Sequence, residues 1–192
     1  MAVVVLFHHV LGRTPGVREL AAALAGEEHT VHTPDLYDGR TFGSVEEGFA
    51  HLQTLDRDAL ARQADDVADG LAGPVVFAGI SWGVFFAQRL AQTRPAAAGA
   101  LLLEACLPVG DDGFGPWPVA LPVQVHGMDA DEYFAHEGDV DAARALVAQA
   151  QDGEVFTYPG GAHLFLDSSL PSSDPAATAT VVGRARELLA RV

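Results

Sequence analysis

The sequence predicts an α/β fold in which a compact, mostly parallel sheet carries helices on both faces. Three observations support this prediction. Short apolar segments alternate with longer segments of helical periodicity, the apolar segments lack strict polar alternation, and no linker or repeat divides the 192 residues. Strands covered on both faces have such continuous apolar sequences, and their alternation with helices is typical of a parallel sheet. We therefore expect a single domain over residues 1–192.

Six segments have the length and the Val, Leu and Phe content of buried strands. They are Val3–Phe7, Thr30–Thr33, Val75–Ala78, Ala100–Leu103, Val123–His126 and Val155–Tyr158. The first of them is too short to span a bilayer and has no basic residues before it, so we expect a strand there rather than a signal or membrane segment.

The segments between these strands place apolar residues at intervals of three or four. Val17, Leu20 and Leu24 share one helical face behind Thr14, a capping residue, and Pro15, at the first helical position. Similar patterns cover Leu60–Leu71, Val84–Ala91, a helix that begins near Asp139 and Asp141, and a final helix that begins at Asp174-Pro175. Ligands of parallel sheets bind at the carboxyl ends of the strands, so residues directly after each strand are the first functional candidates.

The charge balance excludes some classes of partner. The formal net charge is −15, and all 11 basic residues are Arg. Such a surface repels phosphate backbones and anionic membranes, so we expect neither nucleic acid nor a membrane as partner, but a small molecule. The single Cys106 excludes an intramolecular disulfide and a cysteine-based zinc cluster. We expect a cytoplasmic protein without a cofactor.

A G-x-S-x-G pattern, Gly79-Ile-Ser81-Trp-Gly83, lies between a predicted strand and a predicted helix. In this setting the pattern is typical of a nucleophile elbow, because small glycines allow the sharp turn that exposes the serine hydroxyl. The following helix adds backbone N–H groups and a positive dipole end beside a developing oxyanion. The alternative is an ordinary strand-to-helix turn in which Ser81 acts as a cap.

A serine nucleophile needs a base that a third group orients, and strand-turn-helix hydrolases supply these in the order Ser, Asp, His. His163 fits the base, since it lies in a glycine-rich turn directly after the last predicted strand. His126 and His136 are weaker candidates. A loop histidine without a role is the alternative interpretation of His163.

The acid should follow the strand that ends at His126. Asp129 and Asp131 both lie there, and spacing alone does not choose between them.

The adjacent His8 and His9 end the first predicted strand. Neighbouring side chains of a strand point to opposite faces and no third ligand is evident, so we expect no metal there. Instead, the loop that follows is predicted to supply a backbone N–H to the oxyanion.

Two further segments are more specific than the elbow alone: Pro34-Asp-Leu-Tyr-Asp-Gly39 and Gly161-Ala-His163-Leu-Phe165. Together with the elbow and the Asp131 loop, they make nearly the whole chain resemble the dienelactone hydrolase family. The resemblance implies an α/β-hydrolase fold, and with 192 residues we expect no separate lid domain. It also implies Asp131 rather than Asp129 as the acid, and the backbone N–H groups of Trp82 and Val10 as the oxyanion hole.

The sequence departs from that family at three positions. Ser81 stands where well-studied members carry Cys, and His9 stands where they carry a Glu that interacts with the thiol. Asp167 replaces an Arg that holds the substrate carboxylate. Because an acidic side chain at that position would repel a carboxylate, we expect an uncharged substrate.

The sequence thus predicts a serine carboxylic-ester hydrolase for a small ester, lactone or thioester, acting as a monomer or homodimer. Alternatives are a non-catalytic binding protein on the same fold, and an acyltransferase or thioesterase with the same triad. The predicted pocket residues, each of which could equally belong to the core, are His9, Trp82, Phe114, Trp117, Tyr133 and Leu164.

Overall fold

A computed structural model describes residues 1–192 and contains one six-stranded sheet. The strands are β1 (Val3–Phe7), β2 (Thr30–His32), β3 (Val75–Ile80), β4 (Ala97–Leu103), β5 (Val123–Met128) and β6 (Gly153–Tyr158). The helices are α1 (Pro15–Ala25), α2 (Val45–Leu52), α3 (Arg57–Asp69), α4 (Val84–Thr93), α5 (Glu132–His136), α6 (Asp139–Val147) and α7 (Pro175–Leu189).

All neighbouring strands are parallel, in the order β2-β1-β3-β4-β5-β6. From β1 to β2 the chain moves toward one edge of the sheet, whereas from β3 to β4 it moves toward the other edge. Because parallel crossovers are right-handed, α1 and α4 lie on opposite faces. Helix α7 packs against α1, and α3 packs against α4. The predicted α/β architecture is therefore confirmed.

The site lies where the order of the strands reverses, between β1 and β3. These strands are neighbours whose ends are in register, with Phe7 paired to Gly79. The chain leaves their carboxyl ends in opposite directions, which opens a crevice of the kind that binds ligands in parallel sheets. The residues that follow the two strands, Val10 and Ser81, therefore face the same crevice.

Local capping defines the predicted helix starts. The Thr14 hydroxyl accepts a hydrogen bond from Val17 N at 3.2 Å, and Pro15 is the first residue of α1. The Asp174 carboxylate accepts bonds from the N–H groups of Ala176 and Ala177, which starts α7 at Pro175. These bonds satisfy backbone donors that have no partner within the helix.

Helix α2 was not among the predicted elements, although its start has a recognisable signal. The Ser44 hydroxyl accepts a bond from Glu47 N at 3.2 Å, and the Glu47 carboxylate accepts one from Gly43 N at 3.0 Å. This reciprocal arrangement is a variant of the capping box. Both Val45 and Phe49 of this helix line the cavity described below.

Apolar side chains on both faces of the sheet form one core cluster of 47 buried residues. Every residue of β3 is buried, which explains its unbroken apolar sequence. None of the helices combines the length and the apolar character that a bilayer crossing requires.

Candidate active site

Ser81 lies at the tip of a tight turn between β3 and α4. Its φ of 49° is in the left-handed region that side chains rarely adopt. A Cβ on Gly79 would lie 2.4 Å from the carbonyl carbon of Gly83, and a Cβ on Gly83 would lie 2.4 Å from the carbonyl oxygen of Phe7. Both glycines are thus required by close backbone contacts, which hold the turn against β1.

Three side chains from separate loops meet beside this turn. Ser81 Oγ lies 2.9 Å from His163 Nε2, and His163 Nδ1 lies 2.7 Å from Asp131 Oδ2. The other Asp131 oxygen accepts a bond from Tyr133 N at 3.0 Å and thereby caps α5. Because both oxygens are engaged, the carboxylate has a fixed orientation.

The alternative candidates for the acid and the base lie outside this hydrogen-bonded group. Asp129 is exposed, and its carboxylate accepts a bond from Gly160 N at 3.1 Å. His126 is buried 2.8 Å from the hydroxyl of Tyr158, and burial lowers the pKa of this histidine to about 3. His136 is exposed at the end of α5. None of these three bonds to Ser81 or His163.

Glu104 is a site residue that the sequence reasoning missed. It is fully buried at the end of β4, and its carboxylate accepts hydrogen bonds from Leu164 N and, at 3.2 Å, Leu166 N. The carboxylate is also 3.9 Å from His163 Nδ1. Glu104 therefore holds the turn that carries His163. A charged residue directly after an apolar strand was the available signal.

The charges around the imidazole shift two pKa values. Burial alone would lower the pKa of His163, but the hydrogen bond to Asp131 and the nearby charge of Glu104 raise it above its ordinary value. Burial raises the pKa of Glu104 to about 7, against the lowering influence of His163 and two backbone N–H groups. The site thus favours a protonated His163, the form that appears when the imidazole takes a proton from serine.

The two histidines after β1 have separate partners. His8 Nδ1 donates to the carbonyl oxygen of His9 at 2.7 Å, while His8 Nε2 accepts from Leu36 N. Burial lowers the pKa of His8 to about 4, so the ring is neutral. His9 Nδ1 accepts from Leu11 N at 3.2 Å, which leaves the hydrogen on Nε2 to donate to Asp167 at 2.8 Å.

Asp167 joins the loop after β1 to the loop that carries His163. Besides His9, the hydroxyl groups of Thr14 and Ser169 donate to its carboxylate. Burial alone would raise the pKa of Asp167, but these hydrogen bonds lower it to about 2. The side chain is buried and does not line the cavity, so the expected direct repulsion of a substrate carboxylate by Asp167 is wrong.

A cavity of about 260 Å³ opens beside Ser81 and His163. Its other lining residues are Val10, Val45, Phe49, Trp82, Val84, Phe85, Glu104, Ala105, Leu107, Tyr133, Glu137 and Asp139. The lining includes three carboxylates and no Arg. The Asp139 carboxylate accepts a bond from Cys106 N at 3.1 Å, and burial raises the pKa of Asp139.

The expected oxyanion donors, Val10 and Trp82, both line this cavity. The backbone N–H of Val10 donates to no backbone or side-chain acceptor in the protein. A backbone donor that borders a cavity without a partner is available to a ligand oxygen.

Of the six predicted pocket residues, Trp82 and Tyr133 line the cavity and four do not. His9 and Leu164 are buried behind it, and Trp117 belongs to the core, where its Nε1 donates to Leu121 O at 2.9 Å. Phe114 packs against Phe85 with ring centroids 5.3 Å apart, outside the cavity. Those four predictions are therefore wrong, because a sequence does not distinguish apolar side chains of the core from those of a pocket wall.

Ligand atoms of Glu104, Asp131 and His163 lie within 4.8 Å of one another, a spacing that a cation could bridge. However, the Glu104 oxygens already accept two backbone N–H groups, and Asp131 already accepts bonds from His163 and Tyr133. Binding a metal there would break these bonds, so the donor set fits a hydrogen-bonded triad better than a metal centre.

Comparisons with known proteins show the family and the fold of the chain. The model of the dienelactone hydrolase family matches residues 1–192. Among solved structures, m3DLH is 23% identical, with a TM-score of 0.75 over 100% of this chain and 86% of that chain. No curated protein matches the sequence.

Two other solved structures share the fold. A candidate dienelactone hydrolase from Klebsiella pneumoniae is 18% identical, with a TM-score of 0.78 over 100% of this chain and 88% of that chain. The dienelactone hydrolase-like promiscuous phosphotriesterase P91, from metagenomic libraries, is 19% identical, with a TM-score of 0.77 over 100% and 86% of the two chains.

Proposed function

The chain belongs to the dienelactone hydrolase family and is a hydrolase, and we propose that it cleaves small, uncharged carboxylic esters with Ser81 as nucleophile. The observation that carries this proposal is the hydrogen-bonded series Ser81 Oγ, His163 Nε2, His163 Nδ1 and Asp131 Oδ2, with contacts of 2.9 and 2.7 Å. A nucleophile, a base and an orienting acid in this order are the parts that acyl transfer through serine needs.

In the proposed reaction, His163 Nε2 takes the Ser81 proton as Oγ attacks the ester carbonyl carbon. The carbonyl oxygen becomes an oxyanion that accepts hydrogen bonds from the N–H groups of Val10 and Trp82. The protonated His163 then donates its proton to the leaving alcohol as the C–O bond breaks, which leaves an acyl group on Ser81. Water repeats the sequence, with His163 as base, and releases the acid.

The charges of the cavity support an uncharged substrate. Glu104, Glu137 and Asp139 line it without a compensating Arg. A substrate carboxylate would therefore enter a negative field in a partly dehydrated site, where repulsion is stronger than in water. A thioester has the same reactive carbonyl and is accommodated by the same chemistry.

Labelling with a fluorophosphonate tests the nucleophile directly. We expect one adduct, found on the Ser81 peptide by mass spectrometry, together with turnover of p-nitrophenyl acetate. The Ser81→Ala variant should lose both the adduct and the turnover. An unlabelled wild-type protein, or equal turnover by wild-type and Ser81→Ala proteins, would overturn the proposal.

Replacing Glu104 with Gln should move the acidic limb of the pH profile of kcat/KM. His163 accepts the serine proton only when neutral, so activity is lost as pH falls through its pKa. Glu104→Gln removes a negative charge that raises this pKa, so the limb should move to lower pH. Glu137→Gln is the matched control, since Glu137 is exposed and is not among the groups that shift His163. An unmoved limb in Glu104→Gln would contradict the assigned role.

A further inference from the structure

We propose that an apolar arm of the ester occupies a second cavity, between α2, α3 and α4, next to the Ser81 cavity. This inference rests on the proposed function, because it concerns the same substrate. The second cavity has a volume of about 320 Å³. Its lining is mostly apolar and comprises Phe49, Leu52, Gln53, Arg57, Leu60, Trp82, Phe85 and Phe86.

The two cavities are adjacent. Phe49, Trp82 and Phe85 line both of them. Trp82 directly follows Ser81 in the chain, and it borders both cavities. We expect a group attached to an ester carbonyl at Ser81 to reach the second cavity along these three aromatic side chains.

Aromatic side chains with unusually high exposure line the Ser81 cavity, and two of them also line the second cavity. Five large hydrophobic residues of the chain are exposed, and three of them, Phe49 (43%), Phe85 (40%) and Tyr133 (38%), line the Ser81 cavity. Apolar side chains that gather around a concave surface indicate a ligand that covers them. Phe49 and Phe85 continue into the second cavity, which extends the apolar surface away from the acidic side chains.

Packing fixes the position of the Trp82 ring in this surface before a ligand binds. The Trp82 ring lies edge-on to Phe86, with centroids 4.9 Å apart, and tilted against Tyr37 at 5.4 Å and His8 at 5.8 Å. An aromatic ring that is held on several sides does not lose rotational freedom again on binding, which favours affinity.

The lining selects an uncharged aryl or alkyl group. Six of the eight lining residues are hydrophobic, while Gln53 and Arg57 are exposed and stand at the rim. An apolar cavity of roughly 150 Å³ is enough to hold a benzene ring. The second cavity therefore has room for a phenyl or a medium alkyl group, and we expect esters with such an arm to be preferred over acetates.

The test uses two esters, p-nitrophenyl 4-phenylbutyrate and p-nitrophenyl acetate, and compares their kcat/KM ratio between variants. Gln53→Trp and Arg57→Trp fill the second cavity from its exposed rim and should lower the ratio by at least about tenfold. Thr54→Trp is the matched control, because the exposed Thr54 adjoins Gln53 but does not line this cavity. Its ratio should equal that of the wild-type protein. A second series, 4-phenylbutyl acetate against ethyl acetate, determines whether the acyl or the alcohol side carries the arm.

Binding measured without turnover separates this inference from the proposed function. Calorimetric titration of the Ser81→Ala protein with 4-phenylbutyl acetate should give binding that Gln53→Trp weakens and Thr54→Trp leaves intact. If no ester is hydrolysed but this binding pattern holds, the proposed function fails and the second cavity stands. If esters are hydrolysed but Gln53→Trp and Arg57→Trp change neither ratio nor binding, the inference is overturned.

Discussion

Replacing Asp131 with asparagine is expected to lower kcat/KM for p-nitrophenyl acetate by about 10³- to 10⁴-fold. The two Asp131 oxygens accept hydrogen bonds from His163 Nδ1 and Tyr133 N. Asparagine has one acceptor oxygen, so an amide NH₂ would face one of these donors. If the NH₂ group faces His163, the imidazole no longer keeps the tautomer and orientation that the triad needs. If the oxygen faces His163, the hydrogen bond remains, but the negative charge that stabilises the protonated imidazole is gone. Steady-state kinetics measures the loss directly.

Asp129→Asn is the matched control for this substitution. Asp129 is exposed two residues away, and an asparagine oxygen can keep the hydrogen bond from Gly160 N. We expect its kcat/KM to stay within about threefold of the wild-type value. Equal losses in the two variants, or the greater loss in Asp129→Asn, would contradict the assignment of Asp131 as the acid.

Gly83→Ala is expected to destabilise the fold by about 3–5 kcal/mol. Its new Cβ would lie 2.4 Å from Phe7 O and 2.7 Å from His8 O. Relief of these contacts requires separation of the turn before α4 from the end of β1, which would disturb packing in the centre of the sheet. Since a domain of this kind is stable by only about 5–15 kcal/mol, urea unfolding should show a much lower midpoint.

Gly183→Ala provides the control for the effect of an added methyl group. Gly183 lies within α7, and a Cβ added to it would meet no heavy atom within 4 Å. Alanine is the better helix former by about 0.5–1 kcal/mol, so this variant should be slightly more stable than the wild-type protein. A Gly83→Ala protein as stable as wild type would show that the elbow tolerates a side chain.

The centre of the sheet was predictable because β1, β3 and β4 are continuous apolar segments, and several helices begin at strong caps. Thr14-Pro15 and Asp174-Pro175 mark the starts of α1 and α7, and both signals depend on hydrogen bonds within three residues. Helix α2 was missed even though Ser44 and Glu47 form a comparable local signal.

The lining of the cavity was much less predictable. Trp117 and Tyr133 are both aromatic and both follow strands, but Trp117 is 2% exposed and Tyr133 is 38% exposed. Glu104 was not predicted as a site residue, yet it is fully buried under the His163 turn. Burial depends on which elements pack above a residue, and that information is spread over the whole chain.

The sequence by itself determined the parallel α/β sheet, the turn around Ser81 and the family to which the chain belongs, because each is built from short local patterns that can be recognised one by one along the chain. Spacing left Asp129 and Asp131 open and the family resemblance favoured Asp131; the tertiary structure brings Asp131 to His163, and it alone shows that Glu104 supports the same turn. Those contacts join residues separated by 32 and 60 positions. Their distances depend on the register of β4, β5 and β6 and on the paths of three loops, which no short segment specifies.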